Sequence, residues 1–198
     1  MQWTLLTIKK SERENLDQKN LLERRNFLKI ATIASAISFF PSIILGKTDV
    51  PYKKSLSLYN IHTGENINTT YWADGSYIPD ALSQMNHLLR DYRTGAATDM
   101  DTELFDLLYS IRTNLDSSKP FNIISGYRSP QTNAMLNSNS SGVAKKSLHM
   151  QGKAMDINLP GRDLSELKKI ATNLRQGGVG YYPSSDFVHV DVGRVRYW

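Results

Sequence analysis

The segment from Ser147 to Asp156, which reads SLHMQGKAMD, constrains the fold of this chain more than any other segment. It offers an imidazole, His149, and a carboxylate, Asp156, and a metal site built on these two groups needs a third ligand from elsewhere. The run FVHVDV near the end of the chain supplies one, because it alternates like a strand and carries His189. Two histidines and one aspartate leave the fourth position of a tetrahedral zinc ion open for water, which is the arrangement of a catalytic site.

The alternation of side chains in two predicted strands supports this grouping. In the strand predicted at 154–159, Asp156 faces away from the apolar side chains. In the strand predicted at 187–192, His189 and Asp191 face away from the valines. Both strands therefore direct polar groups towards one surface.

The rest of the folded part alternates between amphipathic helices and short strands without a regular strand-helix-strand order. This mixture predicts an α+β fold with a mainly antiparallel sheet and flanking helices. Hydrophobic spacing, prolines and glycines predict strands at 55–61, 66–72, 121–125, 154–159 and 187–192, and helices at 79–92, 101–115, 130–137 and 164–175.

Composition excludes several classes of function. With 198 residues, 40% hydrophobic and 22% charged, the chain has room for one domain and an appendage. The absence of cysteine excludes disulfides, thiolate metal sites and cysteine nucleophiles. The net charge of +5 is concentrated before residue 30, where seven Lys or Arg face four Asp or Glu, against 17 and 15 in the remainder. We therefore expect no nucleic-acid binding.

Residues 1–48 have the pattern of a targeting segment. Arg24 and Arg25 begin the sequence RRNFLK, and an uncharged run at 30–46 follows, broken by Pro41. This pattern resembles a twin-arginine export signal. The alternative is a retained membrane anchor, for which the 17 residues of the run are barely long enough. We expect the folded domain, residues 49–198, to work in the periplasm and to contact the membrane only through the N-terminal segment if that segment is not cleaved.

The central segment also resembles a known family. The pattern S-x-H-x-x-G-x-A-x-D, formed here by Ser147, His149, Gly152, Ala154 and Asp156 and followed by a later strand histidine, resembles the LAS-type zinc peptidases. This group contains the D-Ala-D-Ala peptidases, the murein endopeptidases and the hedgehog-like fold. Within it, the resemblance is to the MepK-type (YcbK-like) endopeptidases, and it covers the folded part from about Ser55. The resemblance rests on the segments NIHTGE, SGYRS, GVAKKS, GGVGYYP, FVHVD and the final YW.

The resemblance implies roles for individual residues. His149, Asp156 and His189 are expected to hold zinc, which activates a bound water near neutral pH. Arg128 is expected to steady the oxyanion that develops in the reaction, a surface salt bridge being its alternative role. The substrate-contacting side chains expected from the resemblance are Ser147, Tyr127 and Tyr181. Ser147 has an equally plausible role in capping the loop.

The general base has two candidates. Many relatives carry Glu three residues before the last histidine, and the corresponding residue here is Asp186, one methylene shorter. Asp191 competes with it, because strand parity brings this carboxylate beside His189, where it either accepts the proton or orients the histidine. The sequence does not separate the two.

The resemblance also implies the substrate class, the peptide stems of peptidoglycan. The MepK-type relatives point to cross-links between two diaminopimelate residues. We expect the enzyme to be a monomer. Two other functions remain open at this point: a catalytically inert wall-binding domain with a structural metal, and a D,D-carboxypeptidase that trims single stems.

Overall fold

The computed structural model describes residues 52–139 and 142–198. The predicted export signal or anchor at 1–48 lies outside these residues. No helix in the described ranges combines the length and hydropathy that crossing a bilayer requires.

The described residues form one sheet of eight strands in the order β3-β2-β1-β4-β5-β7-β6-β8. Two neighbouring pairs, β1 with β4 and β6 with β8, are parallel, and the other neighbouring pairs are antiparallel. The prediction of an α+β fold with a mainly antiparallel sheet is confirmed. The strands are β1 Lys53–Asn60, β2 Asn66–Ala73, β3 Ser76–Tyr77, β4 Phe121–Ser125, β5 Ala154–Asn158, β6 Gly178–Tyr182, β7 Phe187–Asp191 and β8 Arg196–Tyr197.

The helices begin where local chemistry favours a helix start. Pro79 opens the first helix, because its fixed φ suits the first helical position and its missing N–H is not needed there. Asp101 caps the second helix by accepting a hydrogen bond from the backbone N–H of Glu103 at 3.1 Å. The described α-helices are α1 Pro79–Leu88, α2 Thr102–Asn114, α3 Pro130–Asn139 and α4 Leu164–Leu174, and two short 3-10 helices span Leu148–Gln151 and Pro183–Ser185.

A single hydrophobic core lies between the sheet and three helices. Helix α1 packs against β2, α2 packs against β1 and α4, and α4 also packs against β6 and β7. Met155 on β5 and Val188 and Val190 on β7 are fully buried in this core. Burial of each such side chain stabilises the fold by about 1.5–3 kcal/mol, so it fixes the face that each strand turns inward. Asp156 and His189 consequently face the opposite side of the sheet.

The first helix ends earlier than its apolar pattern predicts. It stops at Leu88, whereas the pattern extends to Tyr92. The chain turns at Asp91, whose backbone carbonyl accepts a hydrogen bond from the N–H of Gly95 at 2.7 Å. Tyr92 is therefore 38% exposed instead of in the core, and its ring stacks on that of His62 with centroids 3.8 Å apart.

Strand β6 is a second difference, because the sequence pattern does not predict it. It contains Gly178 and Gly180, and glycines offer no side chain that reveals alternation. Its pairing with β7 extends the sheet beside β5 and β7, the strands that carry Asp156 and His189.

Candidate active site

His149 is oriented by two contacts with its surroundings. The hydroxyl of Ser147 accepts a hydrogen bond from the backbone N–H of His149 at 3.3 Å, which starts the short 3-10 helix. The Nδ1 atom of His149 lies 2.8 Å from the carbonyl oxygen of Gly126. Because a carbonyl only accepts, Nδ1 carries the hydrogen, and the lone pair is on Nε2.

His189 reaches the same point from the neighbouring strand. Its Cα is the register partner of Asp156 in the antiparallel pairing of β5 with β7. Its Nε2 lies 3.1 Å from Oδ2 of Asp191, so Nε2–H donates to this carboxylate. Its Nδ1 faces Asp156, whose Oδ1 is 2.8 Å away, and this nitrogen can bind a metal ion only when it carries no hydrogen.

Three potential ligand atoms thus converge on one point. The distances are 3.2 Å between the two imidazole nitrogens, 3.3 Å from His149 Nε2 to Asp156 Oδ1 and 2.8 Å from His189 Nδ1 to that oxygen. Tetrahedral ligands at about 2.0–2.1 Å from a zinc ion would lie about 3.3 Å apart. The spacing therefore fits a metal ion, and the structure brings together His149, Asp156 and His189 as a possible metal site.

The electrostatics of this cluster favour a positive charge between the three side chains. Burial raises the pKa of the Asp156 carboxyl, but the charge and hydrogen bonds of His149 and His189 outweigh it and hold this pKa well below its usual range. Burial lowers the pKa of His189, but its hydrogen bonds to Asp156 and Asp191 outweigh burial, and the net shift is upward. Both shifts reflect the attraction between the Asp156 carboxylate and positive charge on its imidazole neighbours.

Asp191 is fully buried, and hydrogen-bond donors surround it. Its Oδ1 accepts from the backbone N–H of Gly178 at 3.0 Å and of Gly193 at 2.8 Å. Arg196 donates to both oxygens, at 3.1 Å to Oδ1 and 2.6 Å to Oδ2. Burial raises the pKa of Asp191, but these donors and His189 hold it well below its usual range. The carboxylate is thus fixed as the acceptor that orients His189, and it has little capacity to take up a proton.

If the site holds the zinc ion expected from the sequence, Asp191→Asn should lower the affinity for it about 10- to 100-fold, because a carboxamide does not orient the His189 ring as the carboxylate does. Competition with a fluorescent zinc chelator measures this change. Asp186→Asn is the matched control and should leave zinc affinity and kcat at saturating zinc unchanged, because Asp186 is exposed and hydrogen-bonds to Asn158. A loss of kcat in Asp186→Asn with zinc still bound would instead make Asp186 the general base.

Arg128 lies close to the metal cluster at the end of β4. Its guanidinium NH2 is 3.8 Å from Oδ2 of Asp156, and its backbone N–H donates to the carbonyl of His149 at 3.2 Å. The turn before it packs tightly on the end of α1, where a Cβ on Gly126 would lie 2.5 Å from the carbonyl oxygen of Leu89. Only glycine permits this approach, which fixes the position of Arg128 relative to the cluster.

The metal cluster lies in a cleft of about 550 Å³. Basic groups and aromatic rings dominate the walls around it, and Asp156 is the only carboxylate among the described lining residues. The rings of Tyr182 and Phe187 stack with centroids 4.6 Å apart, and the indole N–H of Trp198 donates to the hydroxyl of Tyr182 at 2.7 Å. Other lining residues are Arg128, Val143, Lys146, Ser147, Leu148 and Arg196.

The cleft contains only some of the residues predicted to act there. Arg128 and Ser147 line it with the three potential ligands. Tyr127 does not, because it borders a separate depression and packs against the core. Tyr181 also packs against the core, with the ammonium of Lys168 over its ring. Asp186 and Asp191, the two candidate bases, are not among the described lining residues either.

Arg196 and Trp198 are cleft residues that the predicted site does not contain, and Tyr182 lines the cleft where the sequence favoured Tyr181 as the substrate contact and gave Tyr182 as a second candidate. Gly180 is the register partner of His189, so side chains on β6 share the face of His189 at positions 180 and 182, not 181. Recognising β6 as a strand would have identified Tyr182. Arg196 and Trp198 arrive through β8, which pairs in parallel with β6, and no local spacing in the sequence indicates this pairing.

Comparison with known proteins gives a consistent family. A family model described as peptidoglycan L,D-endopeptidase MepK matches residues 49–198. Peptidoglycan L,D-endopeptidase MepK of Escherichia coli (strain K12) is 42% identical over 175 residues, which are 88% of this chain and 96% of that protein. Probable peptidoglycan L,D-endopeptidase MepK of Haemophilus influenzae is 42% identical over 176 residues, 88% of this chain and 95% of that protein.

Proposed function

This chain belongs to the peptidoglycan L,D-endopeptidase MepK family, and on that premise we propose that it hydrolyses peptide cross-links of the cell wall. The observation that carries the proposal is the convergence of three potential ligand atoms, from His149, Asp156 and His189, in a cleft that Arg128 also lines. The substrate is a cross-linked peptide stem, and the bond cleaved joins two diaminopimelate residues.

Zinc is the metal that we propose for this site. Two imidazole nitrogens and one carboxylate oxygen form a ligand set that zinc enzymes use, with one position left open. A bound zinc ion supplies Lewis acidity, which activates a water molecule and polarises a peptide carbonyl. The contacts of His149 with Gly126 and of His189 with Asp191 support this assignment, because ligating histidines usually donate their second N–H to a carbonyl or carboxylate.

The residues around the metal ligands stabilise charge, attract the substrate and orient a ligand. The guanidinium of Arg128 stabilises the negative charge that develops on the carbonyl oxygen, an interaction that strengthens as the charge forms. Lys146 adds a second positive charge to the cleft wall, which suits a substrate rich in carboxylates. The aromatic wall around Tyr182, Phe187 and Trp198 excludes water from one side of the scissile bond. Asp191 holds His189 in its ligating orientation.

The location of the enzyme follows from its substrate and its leader. Residues 1–48 carry the twin-arginine pattern, so we propose export to the periplasm, with residues 49–198 as the peptidase domain and no partner besides the wall. Export by this route delivers a folded domain to the compartment that contains its substrate.

A chromatographic assay tests the proposed activity against the two other functions. The purified protein, loaded with zinc, is incubated with cross-linked muropeptide dimers, and the products are separated. We expect dimers to be converted into monomers. Release of a single terminal residue would indicate a carboxypeptidase, and co-sedimentation with sacculi without any product would indicate a wall-binding domain. The names of the relatives, which are endopeptidases, favour the first result.

A further inference from the structure

A second depression borders the same arginine that lines the metal cleft. It is lined by Arg128 together with His62, Arg90, Asp91, Tyr92 and Arg93, and by none of the three potential metal ligands. The cleft and the depression therefore meet at Arg128.

Of the charged side chains considered at this depression, Arg90 and Asp91 have hydrogen-bond partners, whereas the Arg93 guanidinium has no carboxylate partner among the described residues. The guanidinium of Arg90 donates to both oxygens of Glu65, at 2.7 and 3.1 Å. Asp91 is 2% exposed, and its carboxylate accepts from the backbone N–H groups of Arg93 and Ser129. Among the described residues, the guanidinium of Arg93 has no carboxylate partner within salt-bridge distance. It lies over the ring of Tyr92, 4.3 Å from the centroid, and remains exposed.

The carboxylate of Asp91 connects the turn that carries Arg93 with the turn that carries Arg128. Its Oδ1 accepts a hydrogen bond from the backbone N–H of Arg93 at 3.0 Å, and its Oδ2 accepts one from the backbone N–H of Ser129 at 2.9 Å. The ring under Arg93 is supported in turn by His62, which stacks on Tyr92 and contacts the carbonyl of Ile124 at 2.9 Å. The guanidinium of Arg93 is thus held against the Tyr92 ring, and this contact reduces the side-chain entropy lost when the guanidinium binds a ligand.

We propose that Arg93 binds a carboxylate of the peptide substrate and thereby selects wall peptides whose carboxyl groups beside the scissile bond are free. This proposal rests on the proposed function and adds a determinant of specificity to it. A planar guanidinium matches a carboxylate with two parallel hydrogen bonds, and stem peptides carry several carboxylates that are not consumed by the cross-link. Arg93 and Arg128 both line the depression, so an anion bound between them is attracted by both guanidinium groups.

The test compares two matched substrates. One is a cross-linked muropeptide dimer with free carboxyl groups, and the other is the same dimer amidated at the carboxyl group beside the scissile bond. For the free-acid dimer, Arg93→Ala should raise KM about 10-fold with kcat unchanged, the effect expected for one charge-assisted pair. For the amidated dimer it should change neither constant. Arg93→Lys should give an intermediate KM, because lysine keeps the charge without the planar fork.

Arg112→Ala is the control, because Arg112 lies on α2, lines neither depression nor cleft, and carries the same side chain. Equal effects of Arg93→Ala on both dimers, or no effect on either, would overturn the inference while the wild-type activity preserves the proposed function. If wild-type protein with zinc cleaves neither dimer, the proposed function fails. Calorimetric titration of both dimers then tests the inference separately. Tighter binding of the free-acid dimer than of the amidated dimer, with this difference lost in Arg93→Ala, would support the inference. Equal binding of the two dimers to the wild type would reject it.

Discussion

Replacing His149 or Asp156 with alanine is expected to abolish zinc retention and to reduce turnover at least about 1,000-fold, because several kcal/mol of transition-state stabilisation come from the metal. Each side chain supplies one of three converging ligand atoms, and the remaining two leave the ion with too few protein ligands. Both variants should still fold, since the two side chains face away from the hydrophobic core and do not belong to it.

Zinc content by elemental analysis, turnover of muropeptide dimers and thermal unfolding with and without a chelator measure these effects together. In the wild type, zinc at 1,000 times its dissociation constant should stabilise the fold by about 4 kcal/mol, and both variants should lose this increment. His87→Ala is the matched control, because His87 is an exposed histidine of α1. Full activity in His149→Ala, or zinc content equal to wild type, would rule out this metal site.

The strand-parity argument placed two of the three potential metal ligands, Asp156 and His189, on one surface, because it depends only on local geometry and burial. Met155 and Val190 must enter the core, so their alternating neighbours Asp156 and His189 must leave it. Once β5 and β7 pair as neighbours, the two polar residues lie opposite each other, as the register of this pair shows. The sequence predicted the faces of the strands, and the structure adds that the strands are adjacent.

The tyrosine that lines the cleft could not be predicted by the same argument. Tyr181 and Tyr182 are consecutive aromatic residues, and without recognition of β6 as a strand their faces are undefined. Pairing of Gly180 with His189 turns Tyr182 into the cleft and Tyr181 into the core. The missing side chain of Gly180 also makes room for Trp198, whose indole Cε2 would lie 2.6 Å from a Cβ at that position.

The choice between Asp186 and Asp191 as the general base shows a second limit of arguments from sequence spacing. Position 186 matches the base of related peptidases in spacing, but the left-handed conformation of Asp186, with φ of 54°, ends the 3-10 helix, and its side chain hydrogen-bonds to Asn158. Asp191 has the predicted contact with His189, yet Arg196 and two backbone N–H groups already use its oxygens. Hydrogen-bond saturation of this kind depends on β8 and the turn before it, so spacing alone does not reveal it.

Replacing Arg128 with alanine is expected to lower kcat about 100- to 1,000-fold, the loss typical for removal of one oxyanion-stabilising group, and to leave zinc bound. The guanidinium is available for this role because its contacts with neighbours are long, 3.4 Å to Ser125 Oγ, 3.4 Å to Asn133 Oδ1 and 3.8 Å to Asp156. Arg128→Lys should recover part of kcat, since it keeps the charge but not the geometry of the fork. Steady-state kinetics and zinc content measure both variants.

The kinetic pattern separates Arg128 from Arg93, although both border the same depression. An interaction made only in the transition state changes kcat, whereas one that persists from the bound substrate to the transition state changes KM. Arg128→Ala should therefore lose kcat equally on free-acid and amidated dimers, the opposite of the pattern expected for Arg93→Ala. Arg162→Ala, which removes an exposed arginine bound to the carbonyl of Asp116, controls for the loss of one positive charge. A rise in KM with unchanged kcat would assign Arg128 to substrate binding and would contradict its role at the oxyanion.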